Sequence, residues 1–185
     1  MNGNGDVIGG VSTCKNKEDL DQMKMFRKDF CFLMAPMDAF LCGRGLKTLP
    51  IRIDILIEND IKVAKFCEKH PKIKKVNHPW LETFLGHEFV LSKWKDVVKH
   101  FLLKWTLLNL LKKYIEWLKV YSLVVSLGTL DTLIEHPASM TSIAIPKELM
   151  RKQGISPELV RISAGIENIE DIIADLRQAL DKCYI

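Results

Sequence analysis

The sequence has no long hydrophobic run, no even set of cysteines and no strong excess of charge of one sign. Its longest apolar stretch free of charge, Val120 to Leu130, falls well short of the roughly 20 residues a membrane-spanning helix needs. The opening residues, Met1-Asn2-Gly3-Asn4-Gly5-Asp6, show neither a basic start nor an apolar core, so no secretory signal is expected. The cysteines, Cys14, Cys31, Cys42, Cys67 and Cys183, are odd in number and none are spaced C-x-x-C. A disulfide framework or a zinc site is therefore not expected, whereas free thiols in a reducing cytoplasm are. Ten glycines and seven prolines are too few for a collagen-like or low-complexity chain. A net charge of +4 does not by itself imply nucleic acid, and no aromatic-interleaved arginine run or known nucleic-acid module is present. What remains is 185 residues, 48% hydrophobic and 27% charged, enough for a real core and too apolar for disorder.

Along the chain the pattern changes several times. Asp6 to Val11 is glycine-rich and reads as a loop feeding a strand. Lys15 to Phe30 is heavily charged with a partial apolar stripe, which predicts a surface helix. Pro36 and Asp38 open a helix reaching Leu46. Ile51, Ile53, Ile55 and Ile57 alternate, which reads as a strand. Ile61, Val63, Ala64, Phe66 and Cys67 then form a helical face that stops before Pro71, and Ile73 to Val76 is a short strand. From Phe89 to Leu118 there is neither glycine nor proline, and six lysines flank an apolar stripe, the pattern of a basic amphipathic helix. Lys119 to Leu127 reads as a buried strand. A short helix follows from Pro146 to Gly154, then a strand from Leu159 to Ser163 with Arg161 inside it. Asn168 caps a last helix whose face is Ile169, Ile172, Ile173, Leu176 and Leu180. Alternating helices and strands point to an α/β or α+β architecture around one small sheet.

Several ordered blocks carry a family resemblance. They are Ser126-Leu127-Gly128, then Leu133-Ile134-Glu135-His136-Pro137-Ala138-Ser139-Met140-Thr141, then Gly154-Ile155-Ser156, then Leu159-Val160-Arg161-Ile162-Ser163-Ala164-Gly165-Ile166-Glu167. Upstream, Arg44-Gly45-Leu46-Lys47-Thr48-Leu49, Glu68-Lys69-His70-Pro71 and Asp6-Val7-Ile8-Gly9-Gly10 extend the likeness. Together they resemble the transsulfuration family, the pyridoxal-phosphate enzymes of cysteine and methionine metabolism. His136 to Thr141 resembles methionine γ-lyases most, and the apolar Val125 leans the same way.

The resemblance implies the C-terminal half of a fold-type I pyridoxal-phosphate enzyme: residues 1–30 as a remnant of the large cofactor domain, 31–70 as a linker helix region, and 71–185 as the small α/β domain. In the family the cofactor-bearing lysine lies in the pattern Lys-Tyr-(Leu/Ile)-Asn-Gly-His-Ser-Asp, of which Asn2 to Asp6 matches the end, placing that lysine two positions before Met1. The family's phosphate-cradling loop, ring-stacking tyrosine and pyridine-pairing aspartate also precede it. The resemblance thus implies pyridoxal phosphate for the family, no stable hold on it by these residues, and no carbon–sulfur cleavage by them. It further implies a sulfur amino acid substrate, a homotetramer, no nucleic acid and a cytoplasmic location. Arg161 matches the arginine that grips the substrate α-carboxylate, for which a planar guanidinium is suited, and Ser126 matches a serine whose loop touches the same group. No catalytic, cofactor-binding or metal-binding residue is assigned.

Other polar residues carry blander expectations. Glu135 and His136 read as a structural loop pair before Pro137, His78 and His87 lack ligand-like partners, and Arg44 with Lys47 reads as a structural helix end. Two stretches depart from the family pattern. At Cys31 to Pro36 a glycine and one residue are missing, and residues 88–111 lose the family's glycines and strand before the likeness resumes at Lys112. The second departure suggests a local reading-frame shift, which predicts a hole in the small sheet. A separate expectation treats residues 93–118, with Trp94, Trp105 and Trp117, as a binding helix for an anionic membrane or a calmodulin-type groove.

Overall fold

The computed structural model describes residues 2–93, 103–107 and 111–182. The chain divides into two compact units, Met1–Pro50 and Ile51–Ile185.

The first unit holds two helices. Helix α1, Lys17–Asp29, starts at Asn16, whose side chain accepts the Asp19 N–H at 2.8 Å, and buries none of its residues. Helix α2, Pro36–Leu46, places its proline in the first turn, where a missing N–H costs nothing. No strand forms at Val7 to Val11.

The second unit contains nearly all of helix α3, Leu49–Lys69. The strand expected over the alternating isoleucines is therefore wrong: Ile51 to Ile57 lies in this helix. Alternation over four residues was outweighed by a longer helical period. Arg52, Leu56, Asn59, Asp60, Val63, Ala64 and Cys67 are buried at helical spacing, while Ile51 and Ile55 stay exposed. The propensity cost of a β-branched residue in a helix is only about half a kcal/mol, less than burying such a stripe gains.

The sheet has five strands in the order β1-β2-β5-β4-β3. They are β1 (Ile73–Asn77), β2 (Leu103–Leu107), β3 (Ser122–Leu123), β4 (Leu133–Glu135) and β5 (Leu159–Ser163). All neighbours are antiparallel except β3 and β4, which are parallel. Helices α4 (His87–Lys93) and α5 (Leu111–Trp117) flank β2 in sequence, α6 (Lys147–Lys152) precedes β5, and α7 (Ile169–Lys182) closes the unit. The core joins Ile134, Val160 and Ile162 of the sheet to Ile172, Leu176, Ala179 and Leu180 of α7 and Val63, Ala64 and Cys67 of α3. The Asn168 cap forms as expected, its Oδ1 accepting the Glu170 N–H at 2.9 Å.

Two further expectations are corrected. Residues 93–118 are not one helix, because Leu103–Leu107 is a strand bonded on both sides, with Val76 opposite Trp105 and Leu103 opposite Ile162. The expected hole in the sheet is filled by this strand. A sequence such as Phe101 to Leu111, apolar almost throughout, satisfies a helical period without requiring it, and within it Leu103–Leu107 takes its state from the two strand edges it bonds. The remainder of that expectation, including Trp94, falls on residues 94–102 and 108–110, outside those described. The buried strand expected over Lys119 to Leu127 is instead a two-residue edge strand, with Leu123, Val124, Val125 and Leu127 exposed. Its approach is held by Asp175 of α7, whose Oδ2 accepts the N–H groups of Lys119 and Val120 at 2.8 Å each, in place of ladder bonds.

Candidate functional site

Strand β5 lies between β2 and β4, so Arg161 has a partner on each side, Lys104 in β2 and Glu135 in β4. Its neighbours Val160 and Ile162 are fully buried in the core. Strand alternation turns Arg161 to the opposite face, where its side chain is 17% exposed. Directly opposed residues on an antiparallel pair share a face, and the Glu135 carboxylate accordingly forms an ion pair with the Arg161 guanidinium.

The loop after β3 completes the arrangement. Arg161 Nη2 donates to the Ser126 carbonyl at 2.9 Å. Two residues on, Gly128 adopts a φ of +68°, a left-handed conformation in which a side chain is strained, and its N–H donates to Ser163 Oγ at 3.0 Å. Two bonds to β5 thus fix the loop from Ser126 to Gly128. Its far end is tied at Thr132, whose N–H and hydroxyl both donate to Glu167, at 2.6 and 2.8 Å. Gly165 accepts no side chain there, since a Cβ would come within 2.3 Å of the Leu130 carbonyl oxygen.

The structure therefore brings together the two residues singled out for carboxylate binding, Ser126 and Arg161, with Ser126 contributing its carbonyl. It also supplies a residue that sequence reasoning set aside. Glu135 is not in a loop but ends β4, only 1% exposed, and its other oxygen accepts the Thr141 hydroxyl. An acid directly after the apolar pair Leu133-Ile134 was the available signal. His136 ties the following turn, its Nε2 donating to the Pro157 carbonyl at 2.8 Å and its Nδ1 accepting from Ser139 Oγ at 2.6 Å.

The remaining candidates have structural partners. His78 accepts the Trp80 N–H on Nδ1, so its Nε2 donates to Asp60 at 2.9 Å in a buried pair. His87 Nδ1 donates to the Pro79 carbonyl at 2.8 Å. Arg44 and Lys47 are exposed at the end of α2. Among the described residues no three His, Cys, Asp or Glu side chains gather as metal ligands would. Burial pushes the Cys67 thiol and the Tyr121 phenol well above their ordinary pKa, which removes both as nucleophiles or bases at neutral pH.

Pyridoxal phosphate needs a lysine amine to hold its aldehyde and an acid to pair its ring nitrogen. Among the lysines whose side chains are described, none is buried. The half-buried Lys72 spends its ammonium on the Leu180 and Asp181 carbonyls. Among the described residues no lysine is thus enclosed in a site where it could hold that aldehyde.

The family model described as Cys/Met metabolism PLP-dependent enzyme matches residues 1–181. An L-methionine gamma-lyase of Fusobacterium nucleatum subsp. polymorphum is 45% identical over 192 residues, covering 98% of this chain and 47% of that protein. A cystathionine gamma-lyase of Dictyostelium discoideum is 37% identical over 185 residues, covering 99% and 48%. Among solved structures, cystathionine gamma synthase from Xanthomonas oryzae pv. oryzae, in complex with aminoacrylate and cysteine, superposes with a TM-score of 0.89. It is 33% identical and covers 98% of this chain and 47% of that one. The chain spans about half the length of the curated relatives it matches.

Proposed function

The chain belongs to the Cys/Met metabolism PLP-dependent enzymes, and from that premise we propose that it is the C-terminal, amino-acid-gripping half of a carbon–sulfur lyase of the methionine or cystathionine γ-lyase type. In this reading residues 1–30 are a remnant of the cofactor domain, 31–70 a linker region and 71–185 the small domain. Arg161 binds the α-carboxylate of a sulfur amino acid beside the Ser126 loop. The observation that carries the reading is the meeting of these two residues, 35 positions apart, at 2.9 Å on the face of β5 turned away from the core. A guanidinium anchored through Nη2 keeps its other N–H groups available and its plane fixed, which orients an amino acid as well as holding it.

These residues alone do not cleave carbon–sulfur bonds, because no described lysine is placed to carry the family's cofactor. Self-association into the tetramer expected for the family and a cytoplasmic setting complete the proposal. The thiols of Cys14, Cys31, Cys42 and Cys67 are free, and among the described residues no helix is long and apolar enough to cross a membrane.

Two measurements test the proposal on the purified chain. Titration with L-methionine should show binding that the corresponding amino alcohol, which lacks the carboxylate, does not. Arg161→Ala should weaken that binding about tenfold or more, the scale of a lost charge-assisted contact. Equal binding of acid and alcohol, or an unaffected Arg161→Ala, would count against the carboxylate role. Incubation with pyridoxal phosphate followed by borohydride should leave no stoichiometric adduct at one lysine. A single reduced adduct, together with thiol release from methionine, would overturn the claim of inactivity.

A further inference from the structure

Glu135 is a costly residue for its position. A carboxylate that is 1% exposed must have its charge offset, and its Oε2 is buried without a hydrogen bond in good alignment. Among the described residues the only cation in ion-pair contact with that oxygen is the Arg161 guanidinium. The other oxygen accepts the Thr141 hydroxyl. Thr141 is held in turn by a stitched segment, with the Ser142 N–H on the Pro137 carbonyl at 2.8 Å and the His136 N–H on Met140 Sδ at 3.4 Å. On the guanidinium, both protein contacts fall on one nitrogen: Nη2 meets Glu135 Oε2 and the Ser126 carbonyl oxygen. Nε and Nη1 have no acceptor among the described residues.

We infer that Glu135 is the positioning residue for Arg161. Oriented by Thr141, it clamps Nη2 against the Ser126 carbonyl, so that the guanidinium plane is set and Nε and Nη1 face the ligand carboxylate. The inference deepens the proposed function and rests on its carboxylate reading. It assigns Glu135 no contact with the substrate. A flexible cation would attract any anion, whereas a clamped one selects a planar carboxylate in one orientation.

The test uses the full chain labelled with ¹⁵N-arginine, with the Arg161 signals identified by their loss in Arg161→Lys. Two quantities are read: the rate of rotation about the guanidinium C–N bonds, and the affinity for L-methionine. In the unsubstituted chain the rotation is slow. In Glu135→Gln it is at least about tenfold faster, and the affinity falls about tenfold, the size expected when one buried charge-assisted contact is lost. Thr141→Val, at an exposed position where folding is not at stake, moves both quantities the same way by a smaller factor, about threefold. In an Arg161→Lys background, Glu135→Gln adds little further loss, because the coupling partner is gone. Unchanged rotation in Thr141→Val, or a folded Glu135→Gln that binds L-methionine as tightly as the parent or more tightly, would overturn the inference; tighter binding would mark Glu135 as a competitor for the cation. If Arg161 rotates slowly in the parent and fast in Glu135→Gln while L-methionine fails to bind either, the positioning role stands and the carboxylate reading fails.

Discussion

Arg161 and Glu135 are 26 positions apart in number and face one another because antiparallel pairing makes them register partners. The placement of Arg161 inside a strand was legible in the sequence, where apolar residues flank it on both sides. Its meeting with Glu135 was not, since that contact needs β4 to exist, and a three-residue strand leaves no periodicity to read. His78 shows the reverse case: a histidine with no sequence partner turns out to be paired with Asp60, 18 residues away, through the fold. A different histidine supplies a pH test. His70 packs against the Phe66 ring at 5.7 Å between centroids. Its pKa is held below the ordinary 6.5 by partial burial first and then by the Lys72 cation, with Asp181 pulling the other way and Arg177 adding a smaller lowering. The unfolded chain therefore takes up a proton before the folded one does. The contribution of His70 is fully present above about 6.5 and declines as pH falls from there through its lower folded value. Denaturant midpoints measured from neutral to mildly acidic pH should decline over this window, and His70→Gln should flatten that part of the curve. An unaltered slope in the variant would show that another group is responsible.

Among the elements, those with a clear start or stop were read correctly. Helix α7 has Asn168 at its cap, acids in its first turn and a stripe ending at Leu180. Helix α6 is bracketed by Pro146 and Gly154. Asn168→Ala should cost about 1 kcal/mol of unfolding free energy, read from chemical denaturation of the chain, since it removes one acceptor from an otherwise orphaned N–H. A change below the error of the measurement would mean that the Asn168 carbonyl, which accepts from Asp171 and Ile172 at 3.1 Å, carries the cap alone. Helix α3 and strand β2 were misread for opposite reasons. In α3 a local alternation hid a longer period, and in β2 a helical period was satisfied by a segment apolar nearly all round. In both, the deciding contacts are non-local: a buried stripe against the sheet, and two strands waiting on either side. Strand β3 is shorter than its apolar, β-branched composition implies, because that composition does not require burial and Asp175 binds the N–H groups just before it.

At the scale of the whole chain, the controlling fact is that it covers about 47% of its relatives. Apolar side chains are exposed in both units. In the first unit, Ile8 is 98% exposed, Phe32 72% and Phe40 60%. In the second, Leu123, Val125 and Leu127 are near half exposed beside the Ser126 loop. Apolar side chains exposed in this number favour association once they gather into a patch. The isolated chain should associate with itself as its concentration rises and bind a hydrophobic dye, both measurable by light scattering after size exclusion and by fluorescence. Supplying the other half of a relative should suppress both effects. A monodisperse, dye-silent monomer at every concentration would show that this surface needs no cover.

The pairing of β4 with β5 has one more consequence. Side chains alternate strictly along a strand, so sliding one strand by a single residue would carry Arg161 into the oily interior and push Val160 and Ile162 out to water. If Arg161 holds a carboxylate as proposed, that grip exists only on a sheet threaded in the right alignment, so ligand binding would double as a proofreader of assembly.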